Sequence, residues 1–555
     1  MTGPASSRAL IVVAAALAAA ATPVQPPPSH PPAIAFENVS AGDGLTFVLD
    51  QHPSPDKHMV ETMAGGVAVF DYDGDGLPDV FFTNGAPART LTKASPGDWN
   101  RLFRNIGGLR FTDVTEQTGT RGSGYATGAA AGDYDNDGHI DLFVAGVQHN
   151  ELLRNRGDGR FEDVTAAAGI KSYTWSVAAG WFDYDNDGWL DLFIVNYVDW
   201  KPESNKYCGE RAKDLRVYCH PKHYDGLANA LYRNRHDGTF EDVTERSGIG
   251  RAVGKGMSVA FADYDGDGFM DAFVTNDAVP DFLFHNRGDG TFEEVGLLAG
   301  VSMPANGRPV SSMGTDFRDY DNDGRPDLIV TALTGETFPL FKNDKGTFFR
   351  DTTYASGLAS STVRMSGWGI AMADFDNDGF KDLIAANSHA NDRIEAFEAT
   401  RYRQPNAVFH NVNGRFENVS SAAGSDFSIA RAHRGIGVGD FDGDGRLDVV
   451  VTVLGDRPQL LHNVSAAENG WLTLRLEGQR SNRQGIGARV RVGPQTDHMT
   501  TAVGYASSSD YGVHFGCGAA KAIDRVEVTW PSGVKQVLEN VRVNQVMTVK
   551  EPITR

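Results

Sequence analysis

"DYDNDGHID", residues 133–141, places four aspartates in nine positions. Two carboxylates about 4 Å apart repel by roughly 1 kcal/mol in water and roughly 4 kcal/mol at a partly buried site. A segment that served only as a turn would use Asn, Gly or Ser instead. The stretch therefore asks for a cation, and it does not stand alone. The pattern recurs at residues 71–79 (DYDGDGLPD), 183–191 (DYDNDGWLD), 263–271 (DYDGDGFMD), 319–327 (DYDNDGRPD), 374–382 (DFDNDGFKD) and 440–448 (DFDGDGRLD). Every copy has Asp at positions 1, 3, 5 and 9, Gly at position 6 and an aromatic residue at position 2. A repeat of this kind fixes the architecture before any single residue does.

Each copy lies between two strand-like runs. A Gly-rich apolar segment precedes it ("GGVAVF", "TGAAAG", "SVAAGWF") and a β-branched or aromatic run follows ("DVFFTN", "DLFVAG", "DLFIVN"). Most units then add a hairpin signal such as "LLRNRGDGRFEDVT", two strands around a short Asn- and Gly-containing turn. Four antiparallel strands make one propeller blade, so seven units predict an all-β, seven-bladed β-propeller. The seventh unit stops at "LLHN" and lacks its last strand, whereas "IAFENVSAGDGL" near the N-terminus supplies a match. A strand at residues 34–40 is therefore expected to close the ring, leaving no open sheet edge. The propeller is assigned to residues 34–469. Residues 470–555 alternate apolar and polar positions between Gly and Pro breaks, which fits a small β-sandwich-like domain.

Oxygen ligands at positions 1, 3 and 5, a backbone carbonyl at 7 and a carboxylate at 9 form a Ca²⁺ cage, and the glycine at 6 permits the sharp turn. The expected ligands are Asp71, Asp73, Asp75 and Asp79; Asp133, Asp135, Asp137 and Asp141; Asp183, Asp185, Asp187 and Asp191; and Asp263, Asp265, Asp267 and Asp271. The last three loops add Asp319, Asp321, Asp323 and Asp327; Asp374, Asp376, Asp378 and Asp382; and Asp440, Asp442, Asp444 and Asp448. Up to seven Ca²⁺ ions follow. Hard oxygen donors disfavour zinc and copper, and the flanking strands and position-9 closure are not those of an EF-hand.

The 555 residues carry a formal charge of −21. That excludes a phosphate-binding basic surface, and with it nucleic acid as a partner. Seven divalent ions would bring −21 to −7, an ordinary solubilising charge. At the N-terminus Arg8 precedes an apolar run over residues 9–21, the pattern of a secretory signal peptide over 1–21. Residues 22–33 are Pro-rich and read as a linker. No other segment would span a membrane, so an extracellular, periplasmic or cell-surface location is expected. An exported chain permits disulfides, and Cys208 and Cys219 flank a short polar stretch suited to a loop-closing bridge. Cys517 reads as a small buried residue.

From the first loop Asp to the hairpin Asn the distance is 22 to 24 residues in four units, but 34, 51 and 37 in the first, third and sixth. The surplus falls between strands two and three, on the face opposite the Asp loops. Long loops grouped on one face of a rigid scaffold usually carry recognition. Candidate residues of that ligand face are His52, His58, Glu61, His220, His223, Tyr224, Asn387, His389, Asp392 and Arg393. No GxSxG, HExxH or P-loop is present, and "GIGVG" at residues 435–439 leads into an Asp loop, not a helix. The reading is a binding or adhesion module for a protein or glycan; the alternative is a carbohydrate lyase or dehydratase on the same scaffold.

The Asp loops and the Gly-rich strands before them resemble FG-GAP (VCBS-type) repeats, as in integrin α-subunit propellers. "SNRQGIGARVRV", "HFGCG", "VEVTWPSG" and "NVRVNQ" resemble the ASPIC/UnbV domain. Together the chain is similar to the cartilage acidic protein family and its bacterial relatives. The resemblance implies a secreted, calcium-binding propeller with an appended β domain. Two details depart from the pattern: Cys517 stands where an apolar residue is expected, and "SSSD" replaces a Ser-Gln pair near Ser507.

Overall fold

The computed structural model describes residues 34–553 together with residues 1 and 3. The signal peptide and Pro-rich linker expected over 1–33 lie outside the described residues, apart from those two positions. Each Asp loop joins the first two strands of a four-stranded antiparallel sheet. In the second sheet these strands are Ala126–Gly132, Asp141–Gly146, Glu151–Asn155 and Phe161–Asp163, in that order. Seven such sheets are formed, one for each loop.

Their first strands are Val67–Phe70, Ala126–Gly132, Ser176–Phe182, Gly256–Ala262, Thr315–Arg318, Gly367–Ala373 and His433–Gly439. Each packs on the next, and the seventh returns to the first, so the sheets form a closed ring around one axis. In the seventh sheet the outer strand is Phe36–Asn38, paired antiparallel with Gln459–Asn463 so that Phe36 lies opposite Asn463. Glycine and alanine dominate the first strands because backbones crowd at the axis. The second strands, such as Asp191–Asn196, are buried throughout and supply aromatic and β-branched bulk between neighbouring sheets.

The C-terminal region forms two sheets. One holds Val513–Gly518, Gly470–Glu477 and Gln545–Lys550; the other holds Gln495–His498, Arg489–Val492, Ala522–Thr529 and Lys535–Arg542. It is not simply appended to the ring, as the sequence suggested. Between its sheets the chain dives into the channel of the propeller. There Ala502–Val503 and Ser507–Ser509 form a hairpin, and the latter strand pairs parallel with Val67–Phe70, Ser508 opposite Ala68.

The channel is lined by first strands whose outward N–H groups have no neighbouring strand, and a buried unpaired N–H is costly. The inserted segment satisfies them. Val67 N–H donates to Ser507 Oγ (3.3 Å), Ala131 N–H to Ser508 Oγ (3.1 Å) and Val438 N–H to Ser509 Oγ (3.0 Å). Gly504 and Thr315 exchange two backbone hydrogen bonds, and Ala129 N–H donates to the Ala506 carbonyl (3.1 Å). A methyl group on Gly66 would lie 2.4 Å from that same carbonyl oxygen, so glycine there makes room for the insertion. The "SSSD" run is thus a set of hydroxyl caps for three different sheets.

A buried ion network fastens the junction. Arg318, 2 % exposed, meets Asp316 at 3.2 Å and Asp497 of the C-terminal region at 2.8 Å, while Lys381 lies 3.5 Å from Asp497. Arg318 and Lys381 override the effect of burial and hold the Asp497 carboxyl down at about 2.

Candidate metal centres and the channel-mouth cavity

All seven loops share one backbone course. Position 6 is a glycine with positive φ in every copy, and position 4 is positive as well: Gly74, Asn136, Asn186, Gly266, Asn322, Asn377 and Gly443. Only Gly and Asn adopt that conformation cheaply, which explains why position 4 never varies beyond them. The position-1 carboxylate is wrapped by its own loop. Asp71 Oδ1 accepts from Gly74 N–H (2.8 Å), and its Oδ2 from Gly76 N–H (2.8 Å). Asp133, Asp183, Asp263, Asp319, Asp374 and Asp440 likewise accept from their position-6 N–H.

The position-9 carboxylate ties the loop to the hairpin. Asp141 accepts from Tyr134 N–H (3.2 Å) and from Asn155 N–H (2.7 Å), and Asp79, Asp191, Asp271, Asp327, Asp382 and Asp448 repeat the arrangement. The hairpin Asn then links one sheet to the one before it. Asn155 Nδ2 donates to the Tyr72 carbonyl (2.8 Å), and Asn234, Asn286, Asn343, Asn411 and Asn463 do the same in turn. Asn105 donates to the Phe441 carbonyl (2.9 Å), which joins the first sheet to the seventh.

The donor set fits a hard divalent cation. Carboxylate oxygens of Asp71, Asp73 and Asp75, and of Asp133, Asp135 and Asp141, come within 4.8 Å of one another. Oδ1 of Asp73, Asp185 and Asp321, all at position 3, is buried without a hydrogen-bond partner. Burial first, and neighbouring loop carboxylates second, hold these acids high: Asp319 at about 6, Asp133, Asp271 and Asp440 at about 7, and Asp79 and Asp183 at about 8. A divalent cation would reverse that penalty and deprotonate the set. Bound there, Ca²⁺ would supply structural cross-linking within each loop.

Sequence reading missed a feature beside each loop: the residue before the hairpin Asn is always basic. Arg104 contacts Asp73 (2.7 Å) and Asp75 (2.9 Å); Arg154 and Arg233 repeat this at their loops, and Lys342 meets Asp323 at 3.1 Å. In the other three loops histidine takes the place. His285, His410 and His462 approach Asp271 (3.2 Å), Asp376 (3.2 Å) and Asp448 (3.0 Å). Four carboxylates per loop are thus partly balanced from within.

The opposite face carries a cavity of about 340 Å³ at the channel mouth. Its walls come from segments just before first strands and just after second strands, the ends remote from the Asp loops. Tyr505 of the inserted hairpin supports it from the channel. The Tyr505 hydroxyl donates to the Met63 carbonyl (2.8 Å) and its ring packs on Trp368 (4.9 Å between centroids), and Met63 and Trp368 both line the cavity. Cys208 and Cys219 are bridged, with Cα atoms 5.2 Å apart, and the bridge fixes the insertion that brings Tyr218, Cys219 and His220 to the wall.

Of the ten residues proposed for the ligand face, His220 and His389 line this cavity. Glu61 lies behind it, buried, accepting from Ser54 and from the Tyr218 hydroxyl (3.1 Å). The others do not join this cavity, although His52 and His58 border a separate pocket with Ser54 and Arg89. His58 packs edge-on to Trp200, His52 pairs with Asp98 (3.0 Å), and Asp392 pairs with Lys57 (2.6 Å). Buried Asn387 donates to the Pro405 carbonyl, Tyr224 accepts from Lys206 N–H, and His223 and Arg393 are exposed. Asp277 and Glu336 were not singled out from the sequence because they follow second strands with short connections; Tyr197, at the start of the longest insertion, and Trp368, inside a first strand, were not singled out either.

One further cluster has the composition of a nucleophilic triad. Ser123 Oγ, His149 and Glu151 meet on a single nitrogen: His149 Nε2 is 2.8 Å from Ser123 Oγ and 2.9 Å from Glu151 Oε1. A relay needs the two ring nitrogens to serve the two partners separately, so this geometry does not activate Ser123.

A closed ring of β-sheets with an Asp-rich loop at the same end of each is a repeat β-propeller. The FG-GAP-like repeat model matches residues 71–144, 133–194, 223–274, 267–330, 319–385 and 392–451, and the ASPIC and UnbV model matches residues 478–555. The chain belongs to the FG-GAP repeat proteins that carry a C-terminal ASPIC/UnbV domain. It is 28% identical over 329 residues to cartilage acidic protein 1 of Homo sapiens, covering 56% of this chain and 46% of that protein. The Mus musculus protein of the same name is 28% identical over 333 residues, at 56% and 48% coverage. The chain thus spans about half the length of the curated relatives it matches. Among solved structures, an Agrocybe aegerita lectin recognising non-reducing terminal N-acetylglucosamine is 16% identical with a TM-score of 0.39, covering 66% of this chain and 82% of the lectin. Bacillus licheniformis rhamnogalacturonan lyase PL11 is 12% identical with a TM-score of 0.36, at 77% and 75% coverage. Among the described residues no helix is long and apolar enough to cross a membrane.

Proposed function

We propose that the protein is an exported, calcium-binding propeller acting as an extracellular binding module, with Ca²⁺ in the Asp loops and a protein or glycan ligand on the opposite face. In this reading residues 1–21 direct export, 22–33 form a linker, 34–469 form the propeller and 470–555 the ASPIC/UnbV domain. One observation carries the assignment of the faces. The C-terminal region lies on the Asp-loop side: Gln484 accepts from Asp133 N–H (2.7 Å), Arg489 donates to the Gly324 carbonyl (2.7 Å), and His514 Nε2 lies 2.7 Å from Asn377 Oδ1. The opposite face keeps the cavity and the three long insertions. A screen of extracellular proteins and glycans, with and without Ca²⁺, followed by hydrogen-exchange mapping of each hit, tests this. Protection should fall on the insertions around residues 202–226 and 389–404; protection on the Asp-loop side would refute the assignment.

The alternative, a carbohydrate lyase or dehydratase, draws on two carboxylates in the cavity, Asp277 and Glu336, both held above their ordinary range by burial. A product assay on any glycan hit separates the readings: turnover abolished by Asp277→Asn would establish the enzyme.

A further inference from the structure

The cavity wall has an unbalanced charge. Asp277 is 7 % exposed, and its Oδ2 accepts from the Tyr197 hydroxyl (2.7 Å). Glu336 Oε2 accepts from Ser311 N–H (2.9 Å) and Leu333 N–H (3.2 Å). Ser311 bridges to Asp277 on the neighbouring strand end, so one residue separates the two carboxylates. Neither belongs to an ion pair among the described residues. Lys255 acts on Asp277 only through space, because its Nζ donates to the Pro221 carbonyl (2.9 Å) and forms no ion pair with the carboxylate. The two imidazoles in the wall do not balance the charge either. Burial holds His389 down at about 4 and His220 below its ordinary value, and each Nδ1 accepts from a backbone N–H, of Asn391 and Lys222 respectively. Buried carboxylates without a cation are expensive unless a ligand completes them.

The thioether and aromatic part of the wall is Met59, Met63, Met313, Tyr197, Tyr218 and Trp368, and Thr62, Thr334, Asn391 and the exposed Glu398 complete its polar side. The aromatic rings suit either a sugar face or an organic cation. Two observations decide between them. The Arg434 guanidinium already stacks on Trp368, 3.9 Å from its centroid, and Lys57 Nζ stands 5.0 Å from the Tyr218 centroid. Both rings thus already serve a cation on one face, and of the polar groups in the wall, which also include hydroxyls, an amide and imidazoles, only the two buried carboxylates lack a counter-charge.

Resting on the reading of the opposite face as the ligand face, we propose that this cavity binds an alkylammonium or guanidinium group of the ligand, with Asp277 and Glu336 as its counter-ions. The group enters between the two carboxylates, and its alkyl stem lies against the methionines and Tyr197. It comes either from a free amine or from a lysine or arginine side chain of a protein partner.

Full-length protein with Ca²⁺ is titrated calorimetrically with cadaverine, agmatine, blocked Gly-Lys-Gly and Gly-Arg-Gly peptides, pentanol, hexanoate and N-acetylglucosamine. The amines or the basic peptides bind, and the neutral and anionic probes do not. Free amines binding tighter than the peptides identifies a small-molecule ligand; the reverse identifies a protein side chain. Asp277→Asn and Glu336→Gln each weaken binding at least tenfold, while the melting temperature reports that the fold survives. Should either variant fail to fold, competition on the native protein still decides the matter: agmatine displaces bound cadaverine and pentanol does not. Absence of cation binding, or cation binding unchanged in both variants, overturns the proposal. Binding of N-acetylglucosamine in the cavity overturns it while leaving the ligand-face assignment intact. A natural ligand that protects only the Asp-loop side overturns that assignment instead.

Discussion

Replacing Asn105 with Ala cuts the link between the first and seventh sheets and probes how the ring is held. Asn105 is fully buried. Its Nδ2 donates to the Phe441 carbonyl of the seventh loop (2.9 Å) and to the Pro78 carbonyl of its own (3.2 Å), while its Oδ1 accepts from Gly107 N–H (2.9 Å). Three hydrogen bonds at about 1 kcal/mol each make the expected loss about 3 kcal/mol. Unfolding entropy of about 2.1 cal/mol/K per residue gives on the order of 1 kcal/mol/K for a cooperative unit of this length, so the melting temperature falls by about 3 °C. Calorimetry at fixed Ca²⁺ measures it, alongside Asn234→Ala, which cuts the equivalent link between consecutive sheets. The two variants should lose similar amounts, because their geometry is the same. A loss below about 0.5 kcal/mol at both positions would refute the idea that these asparagines tie the ring together.

Asp497→Asn removes one partner of the buried junction and should cost about 3–5 kcal/mol in urea unfolding. The sign of its pH dependence follows from a carboxyl held down at about 2: the stabilisation is complete above the ordinary carboxylate range and is lost as pH falls toward 2, so wild type should lose its advantage over the variant in that window. Converting Ser507, Ser508 and Ser509 together to Ala should cost about 3 kcal/mol, because three channel N–H groups lose their acceptors; loss of near-ultraviolet dichroism without secondary-structure change would report the hairpin leaving the channel. Reducing the Cys208–Cys219 bridge should destabilise by roughly 2–3 kcal/mol and loosen the cavity wall; thiol labelling of the unreduced, denatured protein should find Cys517 alone.

The repeat itself was legible because ligand chemistry and turn geometry act at fixed spacing. Four aspartates and a glycine in nine residues specify a loop, and alternating apolar runs on either side specify its strands. The role of the hairpin Asn was not legible. Its partner carbonyls, such as Tyr72 for Asn155, lie in the preceding sheet and meet it only once the ring exists. The same holds for Arg104 and its counterparts, which look like ordinary surface cations until the hairpin turns them onto Asp73 and Asp75. Residues 507–510 stood out in the sequence only as a departure from the Ser-Gln pair of the resembled domain. They are buried because the channel offers unpaired N–H groups, a property of the closed ring and of no local segment. The cavity carboxylates escaped for a related reason: Asp277 and Glu336 belong to different sheets, and attention to the long insertions passed over the short connections where they lie.

Calcium content tests the central claim most directly. Protein dialysed against metal-free buffer with a trace of Ca²⁺, then analysed by emission spectrometry, should retain several ions per chain, up to seven. Asp265→Ala with Asp267→Ala should lower that number by one. A ligand at about 100 times its dissociation constant stabilises by ~2.7 kcal/mol per site, so the retained ions should also be those whose removal lowers the melting temperature. Less than one Ca²⁺ per chain would contradict the account.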